Sequence, residues 1–254
     1  MPELPSCSNH GVKRMKSAKD NKPDILIIVP AYNESENILR VIQELQQVVP
    51  QYDYVIVNDG SKDDTARICR DNGFRMLDLP VNLGLTGAFQ TGMRYAYEKG
   101  YDAAIQIDAD GQHDPAYISQ MVQIMKEKNA DMVIGSRFVT EKRPHTLRMF
   151  GNTIIEIAIR LTTGKKLTDP TSGMRLYNRK LIREMAYGIN FSPEPDTVSY
   201  LLRSGAHVEE IQVTIRERTA GESYLSIGKS VRYMVQMCMN ILFIQWVRKR
   251  SEIV

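Results

Sequence analysis

Short runs of apolar residues alternate, through the first half of the chain, with stretches whose apolar residues recur every three or four positions. The runs predict strands over 24–29, 54–57, 74–79, 103–107 and 131–135. The stretches between them predict helices over 33–47, 62–72, 85–99 and 115–128. The first run, Asp24-Ile-Leu-Ile-Ile-Val29, is rich in β-branched residues, as in a strand buried on both faces. The alternation predicts an α/β fold with a mainly parallel sheet and helices on both faces.

The regular alternation ends after Ser136. Beyond it, the pattern predicts helices over 149–161, 178–187 and 195–203 and strands over 174–177 and 207–215. Neither a change in composition nor a linker-like stretch separates the two halves. We therefore expect the second half to pack directly onto the first.

The two ends of the chain differ from the rest. Residues 1–22 carry basic side chains among Ser, Asn and Gly, and we expect a disordered leader there. Residues 226–254 predict an amphipathic C-terminal helix. Its apolar part, 233–247, is shorter than the ~20 residues of a membrane-spanning helix. Basic residues flank it, which fits a helix in a membrane interface, or one that docks on the core or on another subunit.

Composition and charge argue against several classes of protein. The chain has 254 residues, 43% of them hydrophobic and 25% charged, as in an ordinary globular protein. A net charge of +3, from 33 basic and 30 acidic residues, gives no support for nucleic-acid binding. The three cysteines are far apart and form no CxxC pair, so we expect no disulfide framework and no zinc site. Reducing cytosol is the simplest location.

The strongest chemical pattern is the acidic stretch Asp108-Ala-Asp110-Gly-Gln112-His-Asp-Pro, directly after a predicted buried strand. Ligands bind beyond the carboxyl ends of the strands in sheets of this kind. Two carboxylates one residue apart at such an end repel each other unless a cation lies between them. Mg²⁺ or Mn²⁺ is expected here, because both accept hard oxygen ligands and substrate phosphates.

Two further strand ends carry polar residues: Val29-Pro-Ala-Tyr-Asn-Glu34 and Val57-Asn-Asp-Gly-Ser61. A Tyr, a Glu and an Asp at these ends can stack on a base and accept hydrogen bonds from a nucleoside. Neither GxGxxG nor GxxxxGK[ST] follows the first strand, which argues against dinucleotide oxidoreductases and P-loop NTPases. The sequence therefore predicts a nucleoside diphosphate whose charge is balanced by a cation at Asp110.

Taken in order, the motifs VPAYNE, NDGS, NLG, DADGQHDP, GSR and DPTSGMRLY over residues 25–223 resemble a family 2 glycosyltransferase of the GT-A type. Within that family they most resemble the branch of dolichol-phosphate mannose synthases and bacterial polyprenyl-phosphate glycosyltransferases. The resemblance implies a Rossmann-like GT-A catalytic domain over residues 23–225. It also implies transfer of a hexose or N-acetylhexosamine, with inversion, from a nucleotide diphosphate sugar to polyprenyl phosphate at the cytoplasmic face of the membrane.

The resemblance also implies roles for individual residues. The donor nucleotide sugar, with UDP expected over GDP, would be held by Pro30, Tyr32, Glu34, Asp59, Asp108, Ala109 and Asp110. Asp110 and Gln112 would ligate the cation. Arg137 and Arg148 would bind the acceptor phosphate, and Arg218, in Arg218-Thr-Ala-Gly-Glu-Ser223, would close over the diphosphate. An arginine fork suits two phosphate oxygens, and the departing diphosphate needs a cation to offset its charge.

Two classes of acceptor are compatible with the sequence. A lipid phosphate is already ionised and needs no base, whereas a hydroxyl of a glycan or lipid-linked glycan needs a carboxylate to take its proton. The sequence offers Asp169 and the pair Glu194-Pro-Asp196 for this role, with Asp169 or Asp196 as the base. The segment Phe191-Ser-Pro-Glu-Pro-Asp196 departs from the aromatic-rich segment of phosphomannose synthases, and no pair of C-terminal transmembrane helices is present. A sugar-nucleotide nucleotidyltransferase and a non-catalytic scaffold are weaker alternatives. The first lacks its glycine-rich basic loop here, and the second gives no reason for both Asp108 and Asp110.

Overall fold

The computed structural model describes residues 24–141, 147–188, 191–216 and 227–244. The strands are β1 Ile25–Ala31, β2 Asp53–Asn58, β3 Met76–Asp78, β4 Ala103–Gln106, β5 Met132–Ser136, β6 Arg175–Asn178 and β7 Val208–Gln212. The helices are α1 Ile38–Val48, α2 Thr65–Asp71, α3 Gly84–Lys99, α4 Tyr117–Glu127, α5 Leu147–Thr163, α6 Arg179–Tyr187, α7 Pro195–Arg203 and α8 Ile227–Met239. A π-helical turn, Asn240–Ile244, continues α8. The predicted leader, residues 1–22, lies outside the described residues.

One sheet joins the two halves of the chain, with strand order β3-β2-β1-β4-β6-β5-β7 in the described part. The pairs β1–β2, β1–β4, β2–β3 and β5–β7 are parallel, whereas β6 is antiparallel to both of its neighbours. The mainly parallel sheet is confirmed, and the second half does pack on the first. Strand β6 enters between β4 and β5 in reverse, so its first residues lie at the carboxyl edge of the parallel strands.

Both faces of the sheet are covered, because alternate side chains of β1 enter different hydrophobic clusters. Leu26 and Ile28 pack with α3, α5, α6, α7 and α8, whereas Ile25, Ile27 and Val29 pack with α1, α2 and α4. All five of these side chains are buried. The prediction of a strand buried on both faces is therefore confirmed.

Helix α1 begins at Ile38, five residues after the predicted start at Asn33. Asn33 has a left-handed φ of +57°, which a continuing α-helix does not allow. The Glu34 carbonyl accepts hydrogen bonds from the N–H groups of Asn37 and Ile38, closing a turn before the helix. The predicted start of this helix at Asn33 is therefore wrong, and Glu34 lies in a loop at the end of β1.

The C-terminal helix is present over the described residues 227–244, and it docks on the core. Met237 and Ile241 are buried, and α8 packs against α5 and α7. Val235, Met239 and Phe243 are exposed on the outer side of the same segment. Within the described ranges, no helix combines the length and apolar character needed to cross a bilayer.

Candidate active site

The acidic loop after β4 folds into a compact turn. The N–H of Asp108 donates to His113 Nδ1 (3.2 Å), and the N–H of Gln112 donates to Asp110 Oδ1 (3.0 Å). Asp110 is almost fully buried at 5% exposure, whereas 41% of the Asp108 side chain is exposed. The two carboxylates therefore differ in environment: Asp110 is fixed within the loop, and Asp108 faces the open side of the sheet edge.

Gly173, the last residue of the DPTSG segment, lies against this loop. A Cβ atom at Gly173 would come 3.0 Å from Asp108 Oδ2 and 3.2 Å from His113 Cε1. A larger residue would push the Asp108 carboxylate or His113 aside. Because DPTSG leads into the reversed strand β6, the inserted strand is what brings the segment beside Asp108.

The other end of the DPTSG segment holds Arg137. Arg137 Nε donates to Asp169 Oδ2 (2.6 Å), and its Nη2 donates to Asp169 Oδ1 (2.8 Å), a bidentate ion pair. Asp169 is fully buried, and 20% of the Arg137 side chain is exposed. Both carboxylate oxygens of Asp169 are thus engaged. This geometry favours Asp169 as the group that orients Arg137 rather than as a base for an acceptor hydroxyl.

A half-buried carboxylate also fixes the backbone at the start of the DPTSG segment. Glu210, on β7, accepts hydrogen bonds from the N–H groups of Thr168 (2.7 Å) and Asp169 (3.0 Å). Burial raises the pKa of Glu210, and these two donors oppose that rise. Glu210 of β7 therefore fixes the backbone of Asp169, which in turn pairs with Arg137.

Arg175, the first residue of β6, is a structural part of the site that sequence reasoning missed. It is 1% exposed, and its guanidinium donates to the carbonyls of Ser172 (2.8 Å), Pro170 (2.8 Å) and Glu194 (3.3 Å). It therefore ties the DPTSG segment to the start of α7. The available signal was a lone arginine within the otherwise apolar Met174-Arg-Leu-Tyr177.

The start of α7 carries two carboxylates that contact the C-terminal helix. Glu194 Oε2 accepts a hydrogen bond from the Tyr233 hydroxyl of α8, and Asp196 Oδ2 accepts one from Asn240 Nδ2 (3.2 Å). Burial raises the pKa of Glu194, the Tyr233 hydrogen bond and Arg175 lower it, and Asp196 and Asp108 raise it further. Both carboxylates of the Glu194-Pro-Asp196 pair, which the sequence offered beside Asp169, are therefore in contact with the C-terminal segment.

Removing the Tyr233 hydroxyl is expected to destabilise the protein in a pH-dependent way. In Tyr233→Phe the Glu194 carboxylate loses its donor, which costs about 1–3 kcal/mol for a buried polar group. The pKa of Glu194 rises further, so the loss is largest at high pH and shrinks as the pH falls through that pKa and Glu194 becomes neutral. Urea unfolding of the variant and the parent at pH 8 and pH 5 measures both free energies.

Tyr117→Phe is the matched control for that experiment, because the Tyr117 hydroxyl donates to the neutral Thr214 Oγ1 at an exposed position (3.4 Å). It is expected to change stability little and equally at both pH values. An equal loss at pH 8 and pH 5 for Tyr233→Phe would show that the ionisation of Glu194 does not change between the two pH values, and would contradict the expected pH dependence.

The residues predicted to hold the nucleoside lie at the ends of β1 and β2, which are neighbours in the sheet. Ala31 pairs with Asn58, and the N–H of Asp59 donates to the Ala31 carbonyl (2.9 Å). Asp59 is buried, and its Oδ1 accepts the N–H of Leu83 (2.7 Å), which fixes the NLG loop beside it. The exposed Tyr32 is the ring available for stacking in this group. The remaining members of the predicted set lie at the same edge: Pro30, Glu34 and the buried Ala109.

The oxygen ligands of the acidic loop suit a metal ion that takes its remaining ligands from water and the substrate. Among the described residues, no group of three or more His, Cys, Asp and Glu side chains could hold a metal ion. Gln112 Nε2 donates to the Arg216 carbonyl (3.3 Å), which fixes the amide beside the loop. Mg²⁺ commonly binds through one or two carboxylates and takes its other ligands from water and phosphate. Asp110 with Gln112, and Asp108 close by, suit that mode and not a closed protein cage.

Two of the predicted arginines are not located by the structure. Arg218 lies outside the described residues. The backbone of Arg148 lies in α5, but its side chain is outside the described part. The structure thus brings together the acidic loop, the DPTSG segment, Arg137 and the start of α7. The substrate contacts of Arg148 and Arg218 stay predictions.

Comparison with known proteins agrees with this arrangement. The model of the family described as "Glycosyl transferase family 2" matches residues 26–186. An undecaprenyl-phosphate mannosyltransferase of Micrococcus luteus is 32% identical over 80% of this chain and 88% of that protein. A UDP-N-acetylglucosamine–dolichyl-phosphate N-acetylglucosaminyltransferase of Methanococcus voltae is 33% identical over 64% of this chain and 72% of that protein.

A solved structure shares the fold. Glucosyl-3-phosphoglycerate synthase of Mycobacterium tuberculosis, in complex with Mn²⁺ and UDP-glucose, superposes with a TM-score of 0.65 at 18% identity. The match covers 87% of this chain and 79% of that one. The GT-A architecture expected from the motifs is therefore confirmed. With the family model matching well over half of its length, this chain belongs to glycosyl transferase family 2.

Proposed function

We propose that this protein transfers a hexose or N-acetylhexosamine, with inversion, from a nucleotide diphosphate sugar to polyprenyl phosphate at the cytoplasmic face of the membrane. Residues 23–225 form the catalytic domain. The observation that carries the proposal is the DPTSG segment, which lies against Asp108 at Gly173 and holds Arg137 at Asp169. It links the acidic loop of the donor side with an arginine suited to phosphate.

The reaction needs one bond to form and one to break. A phosphate oxygen of the acceptor attacks the anomeric carbon, and the bond from that carbon to the diphosphate breaks, so that the nucleoside diphosphate leaves. Asp110 and Gln112 would hold Mg²⁺ or Mn²⁺, which would supply positive charge to offset that of the departing diphosphate. Arg137 and Arg148 orient the acceptor phosphate, and Arg218 closes over the diphosphate. Pro30, Tyr32, Glu34 and Asp59 hold the nucleoside.

A phosphate acceptor is favoured because the two candidate bases already have other partners. Asp169 has both oxygens in its pair with Arg137. Asp196 accepts hydrogen bonds from Asn240 and from the N–H of Thr197 (2.8 Å). An acceptor phosphate is ionised at neutral pH and requires no proton transfer. Two relatives whose names specify undecaprenyl phosphate and dolichyl phosphate support the same acceptor class.

A UDP-sugar is the preferred donor. The Methanococcus voltae relative is named for UDP-N-acetylglucosamine, and the Mycobacterium tuberculosis enzyme of the same fold was solved with UDP-glucose and Mn²⁺. These two proteins support a UDP-sugar as the donor.

A hydroxyl acceptor is the second candidate, and Glu194 is the observation that favours it. A carboxyl whose pKa is raised by burial near the reacting edge suits a general base. The product distinguishes the candidates, because a glycosyl phosphate is labile in mild acid and a glycoside is stable.

The full chain is incubated with labelled UDP-sugars or GDP-mannose, Mn²⁺, and either undecaprenyl phosphate or a lipid-linked glycan. We expect a labelled lipid product from undecaprenyl phosphate that mild acid releases. A boiled sample and a reaction with dephosphorylated undecaprenol are the controls. An acid-stable product formed from the glycan, with none from undecaprenyl phosphate, would overturn the proposal in favour of the hydroxyl acceptor.

A further inference from the structure

Helix α5 exposes a stripe of large apolar side chains. Phe150, Ile154, Ile157 and Leu161 follow each other at intervals of four, three and four residues, the spacing of one helix face. Phe150 is 66% exposed and Leu161 is 76% exposed. Ile155, Ala158 and Ile159, on the other side, are buried in the core. The stripe is therefore not needed to pack the helix on its own domain.

A second stripe lies on the neighbouring α8 and its π-helical continuation. Val235, Met239 and Phe243 recur every four residues and are all exposed. Helices α5 and α8 pack side by side, and a Cβ at Gly151 of α5 would clash with the Met234 side chain of α8. Glycine at this position allows the close approach. The α5–α8 face is defined here as the seven exposed side chains of the two stripes, which together exceed the isolated apolar residues of an ordinary surface.

The exposed charged side chains of α5 and α8 in the described residues are basic, whereas the acidic Glu156 of α5 is half-buried. Arg160, Lys165 and Lys166 are exposed at the end of the α5 stripe, and Arg232 is exposed on α8. The sequence beyond the described part of the C-terminal segment continues with Arg248-Lys-Arg250. Apolar residues bordered by Lys and Arg are complementary to a bilayer with anionic headgroups, where each basic residue near the surface adds attraction.

The same face adjoins the elements that hold the candidate acceptor side of the site. Tyr233 of α8 contacts Glu194, and Asn240 of its continuation contacts Asp196, both at the start of α7. Helix α5 also packs against α7. An acceptor phosphate carried on a long lipid would leave its hydrocarbon chain in the bilayer. A membrane against the α5–α8 face would therefore present the phosphate close to this edge.

We propose that the α5–α8 face docks on the surface of an anionic bilayer, with α5 contributing as much as the C-terminal helix. The proposal rests on the proposed lipid-phosphate acceptor for its location, and the vesicle-binding test of it uses no substrate. Insertion of apolar side chains from both helices holds the protein, and the basic residues select anionic headgroups. A second copy of the chain is the competing occupant of the face.

Co-sedimentation with vesicles tests the proposal on the full chain. We compare vesicles of phosphatidylcholine alone with vesicles containing phosphatidylglycerol, at low and high salt. The parent is expected to bind the anionic vesicles, and to bind less at high salt because the attraction is screened. Phe150→Ser/Leu161→Ser on α5 and Val235→Ser/Phe243→Ser on α8 are each expected to weaken binding at least about tenfold, since each removes two apolar side chains.

Leu39→Ser/Val48→Ser is the matched control. Both residues are exposed and apolar, and they lie on α1, which packs on the other face of the sheet. This pair is expected to leave binding unchanged, and circular dichroism checks that every variant is folded. No binding by the parent, or parent-like binding by the α5 variant, would overturn the proposal. So would a parent dimer that the variants convert to monomer without a change in vesicle binding.

Transfer to a short-chain, water-soluble polyprenyl phosphate separates this proposal from the proposed function. The α5 and α8 variants are expected to keep transfer to the soluble acceptor and to lose transfer to acceptor in vesicles. Vesicle binding without transfer to either phosphate would contradict the proposed function alone. Transfer to the soluble phosphate with no effect of the variants on vesicle binding would contradict the docking proposal alone.

Discussion

Replacing Asp110 by asparagine is expected to reduce sugar transfer at least about a hundredfold. Charge stabilisation by a metal ion contributes several kcal/mol to a transition state, and about 1.4 kcal/mol corresponds to a factor of ten. Asparagine keeps the size of the side chain and can still accept the N–H of Gln112, so the loop is expected to stay folded. Initial rates measure the transfer, and calorimetry measures UDP binding with and without Mn²⁺.

Asp114→Asn is the control for this prediction. Asp114 lies in the same loop, but its Oδ2 pairs with Arg216 Nη2 (2.8 Å) and its Oδ1 accepts the N–H of Ala116 (2.9 Å). Its replacement removes one negative charge from the loop without touching Asp110. We expect transfer to change little, and Mn²⁺ to tighten UDP binding in Asp114→Asn as in the parent. Equal UDP affinity with and without Mn²⁺ in the parent would contradict the assignment of Asp110 to a cation site.

Replacing Asp169 by alanine is expected to lower the free energy of unfolding by about 3 kcal/mol. Asp169 is fully buried, and its removal leaves the Arg137 guanidinium without its bidentate partner. Breaking a buried pair costs most when the remaining charge is fully buried. Arg137 is 20% exposed, so water partly solvates its charge. We therefore expect a loss at the lower end of the roughly 3–5 kcal/mol that breaking a buried ion pair costs. Urea unfolding followed by circular dichroism measures it.

Two further variants test whether the loss arises from the ion pair. Asp64→Ala removes a bidentate partner of similar geometry from Arg67 (3.0 and 2.8 Å), but both side chains are 62% exposed, so little change is expected. In Arg137→Met/Asp169→Ala no charge is left uncompensated, so we expect part of the stability to return. Strictly additive losses in the double variant would show that the two side chains do not act as a pair.

Much of the architecture could be predicted from local pattern. The apolar run of β1 predicted a strand covered on both faces, and alternate residues of that strand do enter two different clusters. The helix over 195–203 has the predicted bounds, because Pro195 is favourable at the first position of a helix. These features depend on residues close to each other in the chain, so a sequence window contains the information.

Local pattern was misleading where distant residues decide the backbone. The predicted helix over 33–47 includes the polar segment 33–37, but the N–H of Glu34 donates to Thr65 Oγ1 (2.9 Å) and that of Ser35 to Asp63 Oδ2 (3.0 Å). These contacts with the start of α2 stabilise a turn in place of the first helical turn. The result keeps Glu34 at the edge where the nucleoside is proposed to bind.

The sequence by itself determined the class of the protein, the acidic loop at the end of the fourth strand and the family. Each of these follows from short stretches of contiguous residues and from the order of those stretches along the chain. The tertiary structure alone decided the reversed insertion of β6, the pairing of Arg137 with Asp169 and the contact of Tyr233 with Glu194. The two side-chain contacts join residues that are 32 and 39 positions apart in the chain. The strand order cannot be read from the spacing of apolar residues. Both therefore follow only from how the elements pack together.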